Sequence, residues 1–174
     1  MVLAILALLV VSLLPVALAL AAISDLFTMT IPNRISIVIL AGFLVLAPLS
    51  GLAWPEIGMN LVAGFAVFGI CFALFALNVM GGGDAKLLTA AAVWYGFNHS
   101  LLAFLVTVGY VGGAITLVFL LLRLRAGSVM AMGIPLPASL VTAKKIPYGI
   151  AIAIAGFLTF GQAPIYLLAM NAFQ

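Results

Sequence analysis

Long apolar runs without a charged residue are the feature that most constrains how this chain can fold. Six Lys and Arg and three Asp and Glu make up only 5% of the 174 residues, whereas soluble domains carry roughly 25% charged residues. The uncharged runs reach the ~20 residues that a helix needs to cross the hydrocarbon core. They lack the apolar–polar alternation of barrel strands. The sequence therefore predicts an all-α integral membrane protein embedded in a lipid bilayer.

Polar breaks divide the chain into six predicted transmembrane helices. The predicted spans are residues 1–23, 35–49, 57–79, 85–97, 101–122 and 150–170. A cleaved signal peptide is the alternative interpretation of the first span, but no Lys or Arg precedes its apolar run. The fourth span is short, which predicts a tilt or a locally thinned membrane. Residues 127–141 contain Gly and Pro and are expected to form a loop at the membrane surface. We expect a single membrane-embedded domain over residues 1–174.

The basic residues predict the orientation of the chain. All six fall in the first, third and fifth predicted loops: Arg34, Lys86, Arg123, Arg125, Lys144 and Lys145. By the positive-inside rule these loops face the cytoplasm, and both termini are then on the non-cytoplasmic side. Asp25 and Asp84 are predicted at the cytoplasmic edge, whereas Glu56 is predicted outside, as a solvated turn or cap residue.

Asp84 follows three consecutive glycines, Gly81, Gly82 and Gly83. An ionised carboxylate is costly near lipid, which makes such a residue a functional candidate. Glycines leave the backbone bare, so they can adopt a positive φ and let another chain approach closely. A helix is predicted from Ala85 onward, and its dipole favours a negative charge at its start. The alternative interpretation is a plain Asp N-cap after a glycine turn.

Two carboxylates on one side of the membrane suggest acid–base chemistry. No other Asp, Glu, His or Cys is predicted on that side, so a metal site is not expected. The single histidine, His99, is predicted at the opposite interface, and the single cysteine, Cys71, in a helix core. Two carboxylates that share one proton can polarise a carbonyl and activate water. Lys86 either biases their ionisation or only marks the membrane edge.

Three short elements carry a resemblance: Asp25 with Ile31-Pro32-Asn33, then Gly81-Gly82-Gly83-Asp84-Ala85-Lys86, then Lys145-Ile146-Pro147-Tyr148-Gly149. They resemble those of the prepilin peptidases, membrane aspartic proteases that remove leader peptides from pilin-like precursors. The resemblance implies that Asp25 and Asp84 are the catalytic pair, without a metal or cofactor. It also implies that ten further residues shape the site or bind substrate. These are Pro32, Asn33, Gly81, Gly82, Gly83, Lys86, Lys145, Pro147, Tyr148 and Gly149.

The resemblance also implies a partner and a location. The substrate would be a pilin-like precursor with a cytoplasmic leader and an apolar helix in the bilayer, cleaved at their junction. The enzyme would lie in the cytoplasmic membrane of a prokaryote and act in pilus biogenesis and protein secretion, with no nucleic-acid partner.

The choice among related subtypes rests on the cysteine content. With Cys71 alone, the chain lacks the paired zinc-binding cysteines of the long form. It is similar to the short forms that serve Flp-type tight-adherence pili, so methylation of the product is not expected. Archaeal preflagellin peptidases are also similar. Presenilin-like proteases share the glycine–aspartate element, but they have more spans and a Pro-Ala-Leu motif that residues 137–140 do not match.

A non-enzymatic membrane protein is the alternative class. In a transporter or a pilus-assembly factor, the two aspartates would carry protons or hold helices together. Such a protein would usually place an acid near the middle of the membrane rather than two at one edge.

Overall fold

The computed structural model describes residues 2–124 and 146–171, and every regular element in these two ranges is helical. The elements are α1 (Val2–Thr28), α2 (Asn33–Leu49), α3 (Trp54–Ala76), α4 (Gly82–Tyr95), α5 (His99–Leu124), α6 (Tyr148–Thr159), a 3₁₀ helix (Phe160–Gln162) and α7 (Pro164–Asn171). The all-α prediction is confirmed. The predicted loop at 127–141 and the basic residues Arg125, Lys144 and Lys145 lie outside the described residues.

Helix α4 lies at the centre of the helix packing. It contacts α2, α3 and α6, and nine of its 14 residues are buried. Buried hydrogen bonds join it to two of these neighbours. The indole Nε1 of Trp94 donates to the carbonyl oxygen of Ile39 in α2 at 2.9 Å. The side-chain amide of Asn60 in α3 donates to the carbonyl oxygen of Val93 at 2.8 Å. Because these bonds are made away from water, they hold α4 in register with both helices.

Helix α6 packs between α1 and α5. Its Gly156 faces α1 so closely that an added Cβ would overlap with Leu18 Cδ1. At the far end of α4, the ring of Tyr95 stacks on Phe104 of α5 with centroids 4.4 Å apart. The hydroxyl of Tyr95 lies 3.0 Å from the Thr159 hydroxyl of α6. The close packing of α6 on α1 brings the start of α6 to the end of α1.

Three described helices are long and apolar enough to cross a membrane: Leu3–Thr28, Trp54–Ala76 and His99–Leu124. A fourth candidate is α6 together with α7, which meet at a bend of 52°. The continuous last helix that we predicted is therefore broken. The break falls just before Pro164, which has no N–H to continue a helix but is well suited to begin one. The described residues thus give three spans, or up to four, of a membrane protein.

Two helix boundaries near Asp25 differ from the prediction. Helix α1 continues past residue 23 to Thr28, so Asp25 belongs to its last turn rather than to a loop. Met29 then adopts φ +54, a left-handed conformation that commonly ends a helix. Helix α2 begins at Asn33 with Pro32 at the N-cap position. Asp25 is therefore carried on helical backbone, and the chain reverses directly after it.

Candidate active site

One cavity brings together both predicted aspartates. Its volume is about 260 Å³. It lies between the end of α1, the turn that follows α1, the start of α4 and Ile146, which precedes α6. The lining residues are Asp25, Met29, Thr30, Ile31, Asn33, Gly81, Gly82, Gly83, Asp84 and Ile146. Two aspartates that are far apart in sequence therefore face a common space.

Asp25 is buried, with 5% of its surface exposed. Its Oδ2 accepts a hydrogen bond from the backbone N–H of Gly149 at 2.8 Å. A Cβ added at Gly149 would lie 2.9 Å from that Oδ2 and 3.0 Å from the Cβ of Asp25. Only glycine lets the first turn of α6 come this close to the carboxylate. The bond restricts how the carboxylate can rotate.

Asp84 is partly buried and lies in the first turn of α4. The helix begins at Gly82, with Gly81 at the N-cap position, so the interpretation of Asp84 as the N-cap is wrong. A Cβ added at Gly81 would lie 2.6 Å from Asp84 Oδ2, which places the carboxylate against the bare backbone of the cap. A negative charge at this position interacts favourably with the helix dipole.

The three glycines before Asp84 provide close approach rather than unusual backbone angles. Gly81 has φ −71, and neither Gly82 nor Gly83 has a positive φ, so that part of the prediction is wrong. A Cβ on Gly83 would lie 3.2 Å from the Cβ of Ile31. A Cβ on Gly82 would lie 3.2 Å from the ring of Phe75. The glycines let the turn after α1 and the end of α3 pack against the start of α4.

Lys86 and Asn33 form a contact between the two aspartate-bearing elements. The Lys86 ammonium donates a hydrogen bond to Asn33 Oδ1 at 3.1 Å. Both residues are exposed, and Asn33 also lines the cavity. Pro32, immediately before Asn33, caps α2. Lys86 therefore joins the first turn of α4 to the start of α2.

The Pro147-Tyr148-Gly149 element is supported by α5. Pro147 is buried at the N-cap position of α6. The Tyr148 hydroxyl lies 3.3 Å from the Thr116 hydroxyl of α5, and a Cβ added at Gly112 would lie 2.9 Å from the Tyr148 ring. Thr116 was not predicted as a site residue. It lies four residues after Gly112, and therefore on the same face of α5. Lys145 lies outside the described residues.

The cavity also has lining residues that were not predicted, namely Met29, Thr30 and Ile146, because their side chains carry no catalytic group. Thr30 is held by its backbone, since the Ser24 hydroxyl donates to the Thr30 carbonyl oxygen at 2.8 Å. The Thr28 and Thr30 hydroxyls also lie 2.7 Å apart. Hydroxyl side chains clustered at a helix end commonly bond to nearby backbone groups. The clustering of Ser24, Thr28 and Thr30 was therefore the feature of the sequence that could have pointed to Thr30.

The remaining ionisable candidates do not line the cavity. Glu56 is exposed in the first turn of α3, as expected of a solvated cap residue, and His99 is exposed at the first position of α5. Cys71 is buried within α3, as predicted. The structure thus separates these three residues from the aspartate cavity.

Comparison with known proteins identifies the family. The model of the type IV leader peptidase family matches residues 12–118, which is more than half of the chain. The matched range contains both aspartate elements and ends before the third element. Comparisons with curated proteins and with solved structures found no match. The chain therefore belongs to the type IV leader peptidase family.

Proposed function

We propose that this protein is a membrane aspartic endopeptidase that removes the short cytoplasmic leader from pilin-like precursors. One observation carries the proposal: in a chain of the leader peptidase family, Asp25 and Asp84 line the same cavity. No other Asp or Glu is among the described residues of that cavity. The chemistry is therefore assigned to this pair.

The proposed mechanism uses one water molecule and one shared proton. The ionised carboxylate takes a proton from water as the oxygen attacks the scissile carbonyl carbon, while the protonated carboxyl donates its proton to the carbonyl oxygen. The tetrahedral diol then collapses: the carboxyl that took the water proton donates it to the leaving nitrogen as the C–N bond breaks, and the other carboxylate takes a proton from a diol hydroxyl, which restores the starting pair. The two apparent titrations belong to the pair, so neither aspartate is assigned a fixed role.

The surroundings of the aspartates support this mechanism. Asp25 is carried on helical backbone and bonded to Gly149, and Asp84 lies against Gly81 at a helix start. General acid–base catalysis requires groups held within hydrogen-bond reach of the reacting atoms. The glycines line the cavity and let Asp84 and the turn after α1 lie close to the start of α4, which keeps the two aspartate-bearing segments together.

The charge distribution supports a cytoplasmic site. With basic residues in alternate loops, we propose six crossings in the cytoplasmic membrane of a prokaryote and both termini outside. The leader would then enter the cavity from the cytoplasm, with the apolar helix of the precursor in the bilayer. Asp25 and Asp84 both occupy terminal turns of helices, which fits the membrane edge better than a mid-membrane transport site.

The cysteine content supports one subtype. With Cys71 alone, we assign the chain to the short form that serves pilus biogenesis and secretion, in which methylation of the product is not expected. An archaeal preflagellin-type substrate is the alternative, and the identity of the cleaved precursor distinguishes the two.

Co-expression with a pilin-like precursor tests the proposal. We expect a new N-terminus just before the apolar helix, read by mass spectrometry. The variants Asp25→Asn and Asp84→Asn should each abolish cleavage while the protein still inserts at wild-type levels. Glu56→Gln and His99→Ala serve as matched controls that retain activity. Cleavage that persists in either aspartate variant would disprove the two-aspartate mechanism.

A further inference from the structure

We propose that an apolar groove between α2, α3 and α4 docks the apolar helix of the precursor; this inference rests on the proposed function. The groove consists of two adjoining hollows of about 380 Å³ each. Leu40, Phe68 and Thr89 line both hollows. Almost all of the remaining wall is apolar. The rest of the wall includes Asn33, Ile37, Leu44 and Lys86.

The groove adjoins the aspartate cavity at one residue. Asn33 lines both the cavity and the nearer hollow. Lys86, which bonds to Asn33, lies at this same end of the groove. The two sites together form a path with a polar end, at the aspartates, and an apolar end, between the helices. A precursor changes from polar leader to apolar helix at its cleavage point, so its polarity matches that of the path.

Exposed polar groups at the cavity end of the groove favour a polypeptide over lipid as its occupant. Asn33 and Lys86 line this end, are exposed and bond to each other. The junction of a precursor carries backbone donors and acceptors that can bond to these side chains, whereas lipid acyl chains carry none. The groove therefore suits a chain that changes from a polar leader to an apolar helix.

The dimensions of the groove suit one face of a helix. Its wall on α2 extends from Asn33 to Leu44, which corresponds to about 17 Å or roughly three helical turns. Recognition of a helix in a groove uses side chains spaced at i, i+3 or i+4, and i+7. Three turns are long enough to hold one such set of side chains. The geometry therefore assigns binding to the first three turns of the precursor helix after the cleavage point.

Photo-crosslinking tests where the helix docks. A benzophenone amino acid would replace Ile37, an exposed groove residue, in the inactive Asp25→Asn protein co-expressed with a pilin-like precursor. The control replaces Val38, which is also exposed but is rotated by about 100° on the same helix. We expect precursor adducts at position 37, at least tenfold above position 38. Equal yields, or adducts only with lipid, with a second copy or within the chain, would overturn the proposal.

Kinetics test whether the groove matters for cleavage. We expect Leu40→Trp, which fills the groove, to lower kcat/KM for the precursor at least tenfold, mainly by raising KM. Cleavage of a peptide that carries the leader and junction but lacks the apolar helix should be unchanged. Val38→Trp is the matched control on the outer face of α2. If the wild type cleaves the precursor and Leu40→Trp cleaves it equally well, the groove assignment fails while the proposed function stands. Failure of the wild type to cleave any precursor would instead contradict the function.

Discussion

Glycine acts in this site by leaving room for a carboxylate. We expect Gly149→Ala to reduce kcat/KM at least tenfold, because the added Cβ would lie 2.9 Å from Asp25 Oδ2, and either the carboxylate or the start of α6 must move. The measurement is precursor cleavage at equal membrane levels of protein. Gly113→Ala is the matched control, since an added Cβ there meets no atom within 4 Å. Wild-type activity of the Gly149→Ala enzyme would show that the contact does not position Asp25.

The hydrogen bond from Lys86 to Asn33 makes a second residue-scale prediction. If both residues act through this bond, Lys86→Met and Asn33→Ala should each lower kcat/KM by about two- to tenfold, the effect of one exposed hydrogen bond. The double variant should lose no more than either single variant, because residues in direct contact are not additive. Losses that multiply in the double variant would instead assign Lys86 a separate role at the aspartates.

The identity of the candidate residues could be predicted, but their contacts could not. Asp25 and Asp84 stand out because only three acids occur in the chain. The bond from Gly149 to Asp25 depends on how α6 is placed along α1, and an apolar sequence does not specify that register. The same limit applies to the three glycines of α5, of which Gly112 packs against Tyr148 whereas Gly109 and Gly113 face open space.

At the scale of helices, Gly96 shows how α4 is terminated. It has φ +74 and ψ 174, a conformation that is essentially restricted to glycine. A Cβ there would also lie 2.5 Å from Asn60 Oδ1. We therefore expect Gly96→Ala to destabilise the protein by about 1–3 kcal/mol.

Thermal unfolding in detergent checks this prediction. Cys71 is the only cysteine in the sequence and is buried, so its reaction with a maleimide dye reports unfolding. Gly96→Ala should react at a lower temperature than the wild type. The control Gly69→Ala adds a Cβ in open space within α3 and should unfold no earlier than the wild type. An unchanged midpoint for Gly96→Ala would mean that the turn rearranges at little cost.

Helix existence was predictable, whereas helix ends were not. The apolar runs gave the helices, but α1 extends five residues past its predicted end because Ser24 to Thr28 can continue the helix and bond to its own backbone. Helix α4 begins before Asp84 because its first residues are glycines packed against neighbouring segments. Tertiary contacts therefore decide both boundaries that flank the site.

For the whole molecule, helix length raises the question of how many helices cross the membrane. Helices α2 and α4 contain 17 and 14 residues, or about 25 and 21 Å, less than the ~30 Å hydrocarbon core. Helix α4 is mostly buried in protein, so it need not match the thickness of the lipid. Helix α2 has exposed apolar side chains, and a locally thinned bilayer would accommodate it. Length alone therefore does not argue against six crossings.

Labelling of single cysteines decides the topology. In a Cys71→Ala background, Arg34→Cys, Glu56→Cys, His99→Cys and Arg123→Cys place a thiol at or near the ends of α2, α3 and α5. An impermeant maleimide should label the Glu56→Cys and His99→Cys variants in intact spheroplasts. It should label the other two only after permeabilisation, because the basic loops are predicted to be cytoplasmic. Labelling of the Arg34→Cys and Glu56→Cys variants from the same side would make α2 re-entrant. The leader and the apolar helix would then have to reach Asp25 and Asp84 by a different route.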